Sequence, residues 1–159
     1  MRRSSNQYIG RFAPSPSGDL HFGSLVSAVA SYADARQHSG QWILRIDDVD
    51  QPRTKAGAAE SIIHTLSAFG FKWNNPIKWQ SERISQYEQV IQELKDRNAV
   101  YFCACSRREI TKVAAIGVDG MIYPGTCRDQ RHRENARHAI RIRTNSEKIY
   151  FSDRVFGHF

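Results

Sequence analysis

Residues 10–28 read GRFAPSPSGDLHFGSLVSA. A short apolar run breaks into two prolines, two serines and a glycine, and His21-Phe22-Gly23 then opens an alanine-rich segment. Tyr8, Ile9 and Phe12 predict a strand over residues 7–13, ended by Pro14 and Pro16, whose rings leave no N–H for a sheet ladder. From about residue 20 to 38, Leu25, Val26, Val29, Ala30 and Ala33 recur at helical spacing. Ser39-Gly40 supplies the stop, and the helix starts at or just before Gly23. In open parallel sheets the turn from the first strand to the first helix is a common phosphate cradle. Glycine lets the backbone approach the ligand, the helix N-terminus offers free N–H groups, and an imidazole there can donate to phosphate oxygens. The same residues also fit a proline-stiffened linker in which His21 merely starts the helix.

Working outward, residues 41–46 predict a buried strand, residues 47–53 a charged loop carrying Pro52, and residues 56–69 a second helix ended by Gly70. Strand, helix, strand, helix is the alternation of a parallel sheet with right-handed crossovers. After a loop with Trp73 and Trp79, residues 84–98 predict a third helix, with Tyr87, Val90, Ile91 and Leu94 on one face, and residues 99–103 a strand. Residues 105–137 are irregular and strongly basic, as expected of an inserted module. Alternation returns at 139–143 and 149–155, which predicts a hairpin around Asn145-Ser146.

The 159-residue chain is long enough for a substantial core, and no stretch is apolar enough to span a bilayer, so a soluble, cytoplasmic protein without a membrane partner is expected. A net charge of +7 favours a polyanionic partner. The strongest concentration lies in residues 128–143, where six arginines and two histidines meet only Asp129 and Glu134, a pattern suited to an RNA backbone or to a solvated helix start. Three cysteines without an export signal argue for thiolate or metal chemistry rather than a disulfide framework. Cys103 and Cys105 form C-x-C, and Cys127 follows across a long loop. Three thiolates need a fourth ligand to close a tetrahedral zinc site, and spacing alone points first to His132 or His138, with three unligated thiols as the alternative. Asp47, Asp48 and Asp50 just past a strand end read as a solvated turn or as a carboxylate site for a substrate ammonium.

The block GRFAPSPSGDLHFGS followed by LRIDDVDQPR resembles the catalytic domain of class I glutamyl-tRNA synthetases, with His21-Phe22-Gly23-Ser24 in the place of the family's HIGH signature. Within that group the Phe-Gly-Ser-Leu continuation is most similar to the short glutamyl-Q tRNA(Asp) synthetase branch. The resemblance implies an α/β fold, a Rossmann-like nucleotide-binding half with an inserted zinc-binding module. It also implies a two-step reaction in which glutamate attacks the α-phosphate of ATP, with Mg2+, and the glutamyl group passes to a queuosine hydroxyl in the tRNA(Asp) anticodon. Catalysis would fall to His21 and Gly23, with His21, Gly23 and Ser24 on ATP. Arg11, Phe12, Ala13, Pro14 and Ser15 would line the glutamate site, and Asp47 would take the ammonium, where the family usually has the longer glutamate. Three cysteines and a tyrosine serve as zinc ligands in this branch, which implies Cys103, Cys105, Tyr123 and Cys127 around a structural Zn2+. A monomer is expected.

The expected organisation is residues 1–102 as the N-terminal half of the catalytic domain, and 103–159 as the zinc insertion with its following strands. The family's second half of the nucleotide fold and its lysine-rich ATP-clamping loop have no equivalent in YFSDRVFGHF, so the rest of the domain is expected to be absent. Alternatives are a piece of an ordinary glutamyl-tRNA synthetase or an inactive tRNA-binding module.

Overall fold

The computed structural model describes residues 7–117, 120–130, 138–145, 147–153 and 155–158. The chain forms two compact units, Met1–Tyr87 and Glu88–Phe159.

The first unit is built on strands β1 (Ile9–Phe12), β2 (Gln41–Ile46) and β3 (Lys78–Trp79), in the order β1-β2-β3 and parallel throughout. β1 runs alongside β2 from Ile9 opposite Gln41 to Phe12 opposite Leu44. Two helices complete the unit, α1 (Phe22–Gln37) and α2 (Ala58–Ala68). Alternation along β2 buries Trp42, Leu44 and Ile46 on one face, where they meet Phe12, Ala28, Ala35, Ile62, Leu66 and Phe71. Trp42 is the centre of this core. Its ring stacks on Phe71 at 5.5 Å, meets Tyr32 edge-on at 5.1 Å, and donates its indole N–H to Ser31 Oγ at 3.0 Å. The buried aromatic is thus packed and has its single donor satisfied.

α1 sits close to β1, and this fixes which of its faces is buried. A Cβ on Gly10 would lie 2.9 Å from the Ser31 carbonyl oxygen and 3.0 Å from Ala35 Cβ. The helix therefore turns its small residues, Ala28 and Ala35, to the sheet. The stripe of Val26 and Val29 that dominates the helical periodicity is exposed. Gly10→Ala should cost about 1–3 kcal/mol through overpacking, read as a lower midpoint in chemical denaturation; an unchanged midpoint would contradict this packing.

β3 lies in the segment expected to be a loop. Two residues, Arg45 opposite Lys78 and Ile46 opposite Trp79, extend the sheet, and a run this short carries no periodicity to read. A single 3-10 turn, Ser81–Arg83, leads into α3 (Ile84–Asp96). No α3 side chain is fully buried, and Val90, expected on its apolar face, is 52% exposed.

In the second unit β4 (Val100–Cys103) pairs antiparallel with β7 (Ala139–Ile142), Val100 opposite Ile142 and Cys103 opposite Ala139. Two corrections to the sequence reading follow. β7 takes β4 as its partner rather than a strand beyond Asn145, and β8 (Ser152–Asp153) pairs with β9 (Gly157–His158); Ser146 itself lies outside the described residues. The stretch expected to be irregular contains α4 (Arg107–Val113) and a hairpin of β5 (Ala115–Gly117) and β6 (Gly120–Ile122). Ser106 and Glu109 cap α4 reciprocally: Ser106 Oγ accepts from the Glu109 N–H, and the Glu109 carboxylate accepts from the Ser106 N–H at 2.7 Å.

Candidate functional site

β1 ends at Phe12, and the chain bends through Pro14 and the fully buried Pro16. Two backbone bonds fasten the bend: Asp47 N–H donates to the Pro14 carbonyl at 3.0 Å and Lys55 N–H to the Pro16 carbonyl at 2.9 Å. Ser61 of α2 donates its hydroxyl to Asp19 at 2.6 Å, which secures the far end of the loop. The chain then enters α1 through His21, the N-cap residue.

His21 does more than start the helix. Its Nδ1 accepts the Ser24 backbone N–H at 3.2 Å, filling the place usually taken by a serine or aspartate oxygen. An Nδ1 that accepts leaves the proton on Nε2, and Nε2 lies 3.0 Å from Ser24 Oγ. Gly23 makes room for this: a Cβ there would stand 3.2 Å from His21 Cε1 and 3.3 Å from Nδ1. The H-x-G spacing is thereby explained as an imidazole folded back over the first helical turn.

A cavity of about 300 Å³ opens at this turn, lined by Phe12, Ala13, Pro14, Ser15, His21 and Ser24 from the expected set. Ser17, Gly18, Asp19, Leu20, Ser27 and Ile62 complete the wall, and the sequence reading missed them. Arg11, Gly23 and Asp47 are not among the lining residues. Arg11 is exposed on β1, and no hydrogen bond or ion pair holds its guanidinium among the described residues.

The acidic loop is already paired. Arg45 Nε donates to Asp47 Oδ1 at 2.5 Å and Nη2 to Oδ2 at 2.9 Å, a two-pronged contact that raises the Arg45 pKa. Asp50 takes Arg53 at 2.5 Å. Asp48 accepts the Ser81 N–H at 2.9 Å and the Ser81 hydroxyl at 2.5 Å. Burial works to raise the Asp48 pKa, but these bonds outweigh it and hold the carboxyl below its ordinary value. A depressed folded-state pKa stabilises above the unfolded value and is lost as pH falls through the folded one. Asp48→Asn should therefore lower stability by about 1–2 kcal/mol at neutral pH. The difference from the parent should shrink below about pH 4, as denaturation midpoints across that range will show; a constant difference would contradict the assignment.

In the second unit Cys103, Cys105 and Cys127 bring their three sulfurs within 4.8 Å of one another. Cys105 and Cys127 sulfurs are 3.3 Å apart, and Tyr123 Oη lies 3.1 Å from Cys103 Sγ. A tetrahedral zinc with bonds of about 2.0–2.3 Å would set such donors about 3.5–3.8 Å apart. The two close pairs would open slightly and the sulfurs, within 4.8 Å of one another, would draw in by up to about 1 Å, so the donor set fits after a small closure. Tyr123 also accepts the Cys127 N–H at 3.2 Å, and the Arg141 guanidinium covers its ring at 4.0 Å. Burial opposes ionisation of Cys103, but hydrogen bonds from Tyr123 and Arg141 bring its pKa down to about 7. The half-buried Cys105 is pushed up to about 11, chiefly by its hydrogen bond with Cys127 and then by desolvation. Desolvation, then the contact with Cys103, raises the Tyr123 phenol. His138, a spacing-based candidate ligand, packs its ring on Phe102 at 4.4 Å and is not in the cluster; His132 lies outside the described residues.

A family model described as tRNA synthetases class I (E and Q), catalytic domain, matches residues 9–158. The chain belongs to this class I tRNA synthetase family. Relatives named Glutamyl-Q tRNA(Asp) synthetase share its sequence closely. The protein of Aromatoleum aromaticum is 50% identical over 94% of this chain and 47% of its own length. That of Dechloromonas aromatica is 47% identical over 96% and 52%, and that of Pseudomonas aeruginosa 47% identical over 96% and 50%. The chain thus spans about half the length of the curated relatives it matches. Among solved structures, glutamate-tRNA synthetase from Elizabethkingia anophelis superposes with a TM-score of 0.74 at 22% identity, over 97% of this chain and 36% of that one. This class I synthetase fold accounts for the parallel β1-β2-β3 sheet and for the position of the cavity at its first crossover. No helix among the described residues is long and apolar enough to cross a membrane.

Proposed function

We propose that this chain contributes the ATP-facing loop of an enzyme that activates glutamate and transfers it to queuosine in tRNA(Asp). The observation that carries the reading is His21, an imidazole held at both ring nitrogens by Ser24 at the mouth of the β1–α1 cavity. A glutamate carboxylate oxygen attacks the α-phosphorus of ATP, the bond to the bridging oxygen breaks, and pyrophosphate leaves. Negative charge grows on the phosphoryl oxygens as this happens, and donors already in place stabilise it without reorganisation. His21 Nε2–H turns from Ser24 Oγ to such an oxygen, and the N-terminus of α1 adds its dipole. In the second step a queuosine ring hydroxyl attacks the glutamyl carbonyl, AMP departs, and the hydroxyl proton is released.

Phe12, Ala13, Pro14 and Ser15 form the glutamate wall, and the unpaired Arg11 guanidinium takes a substrate carboxylate in a two-pronged contact. Asp47 receives the ammonium while still bound by Arg45, each oxygen having a second lone pair to offer. Gly23 and Ser24 hold the imidazole in place. Cys103, Cys105, Tyr123 and Cys127 bind a structural zinc; with four protein donors the metal has no open position, and its part is to fasten the second unit. Mg2+ accompanies ATP.

The choice of queuosine over a 3′-terminal adenosine rests on relatives at 47–50% identity that carry that name, against 22% for the glutamate-tRNA synthetase structure. The test is glutamate-dependent exchange of labelled pyrophosphate into ATP, measured on this chain and on any longer reading frame that contains it. Labelled glutamate is then offered to queuosine-containing tRNA(Asp) and to tRNA(Glu). Exchange with glutamate and acceptance by tRNA(Asp) alone is expected. Exchange supported only by another amino acid, or acceptance by tRNA(Glu), would contradict the reading.

A further inference from the structure

Cys103 and Arg141 share one face of the β4–β7 ladder. Cys103 stands opposite Ala139 and Tyr101 opposite Arg141, so the cysteine and the arginine are diagonal neighbours on paired strands, a separation that a long side chain spans. The Arg141 side chain closes that gap. Its guanidinium lies 4.0 Å over the Tyr123 ring. A hydrogen bond to Cys103, with the charges of Cys103, Tyr123 and Tyr101, holds its pKa above the ordinary value although burial works against it. Its Nε is buried without a hydrogen-bond partner. Two neighbouring arginines are engaged elsewhere: Arg143 faces the Tyr101 ring at 5.3 Å and Asp129 at 3.6 Å, and Arg128 donates through Nη2 to the Thr144 carbonyl at 2.8 Å. Arg141 is thus a half-buried cation fixed against two of the four candidate metal donors, Cys103 and Tyr123.

We propose that Arg141 is the counter-charge and positioning residue of the cysteine–tyrosine metal site, neutralising part of the donor charge and holding Tyr123 in place as the fourth ligand. The proposal rests on the reading of Cys103, Cys105, Tyr123 and Cys127 as zinc ligands. Three thiolates and a phenolate around one Zn2+ leave a formal excess of about two negative charges. A half-buried site bears such an excess poorly, and a guanidinium held between a sulfur and the face of a ring offsets it where it is concentrated. The stacked cation also fixes the tilt of the Tyr123 ring, and with it the direction in which the oxygen points. Partners of this kind, bonded to a ligand from outside the coordination shell, orient that ligand and raise the affinity for the metal.

The test measures zinc affinity of the 159-residue chain by competition with a chromophoric chelator. Arg141→Gln should lower that affinity about 10- to 100-fold. Arg141→Lys, which keeps the charge, should recover most of the loss. Arg108→Gln, which removes an equal charge from an exposed position on α4, should leave the affinity unchanged. A parent-like affinity in Arg141→Gln, or an equal loss in Arg108→Gln, would overturn the proposal. Cobalt(II) in place of zinc separates positioning from mere support of the fold. At saturating cobalt, Arg141→Gln should keep the thiolate-to-cobalt charge transfer and change the d–d bands, because the Tyr123 oxygen no longer holds its place. The parent spectrum in Arg141→Gln would overturn the positioning role. Should that variant lose its fold, a crystal structure of the zinc-loaded parent decides. The guanidinium is expected over the Tyr123 ring and within hydrogen-bond reach of Cys103 Sγ, and a guanidinium turned to solvent would overturn the proposal. A parent chain that takes up no zinc refutes the ligand reading itself, a result distinct from parent and Arg141→Gln binding alike.

Discussion

Cys127→Ala is expected to bring the zinc content of the purified protein from stoichiometric to background and to leave residues 88–159 open to trypsin. The second unit has little else to hold it. Among the described residues, its buried side chains apart from Val100 are Tyr101, Cys103 and Cys127, two of which are themselves in the cluster. Apparent binding free energies of structural zinc in small peptides are on the order of 10–16 kcal/mol, far more than three short strand pairs and a few half-buried side chains supply. Loss of one thiolate opens the coordination shell and returns that energy. The Cys105 thiol, pushed up to about 11, must lose its proton to become a ligand, so binding releases that proton. Elemental analysis with limited proteolysis reads both effects together. Unchanged zinc content would refute the ligand assignment, and loss of zinc with unchanged proteolysis would refute its structural part.

The second large effect is at His21. Removal of a preorganised donor to a developing anion commonly costs about 10²–10³ in rate, and His21→Ala should lower glutamate-dependent pyrophosphate exchange by that amount. The same change also removes a helix cap worth about 1 kcal/mol, so it confounds chemistry with folding. His21→Asn separates them: an asparagine oxygen can still accept the Ser24 N–H, so stability should return, while the Nε2 donor is gone and exchange should stay low. Gly23→Ala gives the complementary result, because the added methyl pushes the imidazole off the Ser24 N–H. Wild-type exchange in His21→Asn would show that the residue is only a cap.

Much of the first unit was legible because its signals are local. Pro14 and Pro16 end β1 where they stand, and the buried strand expected at residues 41–46 has those bounds. Of the cavity wall, Phe12, Ala13, Pro14, Ser15, His21 and Ser24 were legible in the loop, whereas Ser17, Gly18, Asp19 and Leu20 of the same loop were passed over. Ile62 was not legible, since it arrives from α2 through tertiary packing. The buried face of α1 was not legible because a close-packed helix buries its smallest residues, and hydrophobicity gives Ala28 no advantage over Val29. Ser106-Arg-Arg-Glu109 carries a readable capping pattern that predicts α4, and charge density drew attention from it. The β4–β7 pairing joins residues about forty positions apart, beyond the reach of any local signal. Asp48, the loop carboxylate with no assigned part, holds Ser81, while Asp47 is already paired with Arg45; neither partner is visible in the acidic run itself.

The account depends on the β1–α1 cavity receiving the reacting phosphate. A crystal structure of the chain soaked with a non-hydrolysable glutamyl-adenylate analogue tests this directly. The account predicts the phosphate mimic within hydrogen-bond reach of His21 Nε2, with Ser24 Oγ released from the ring and Arg11 on a glutamate carboxylate. An analogue bound elsewhere, with His21 still closed on Ser24, would contradict it.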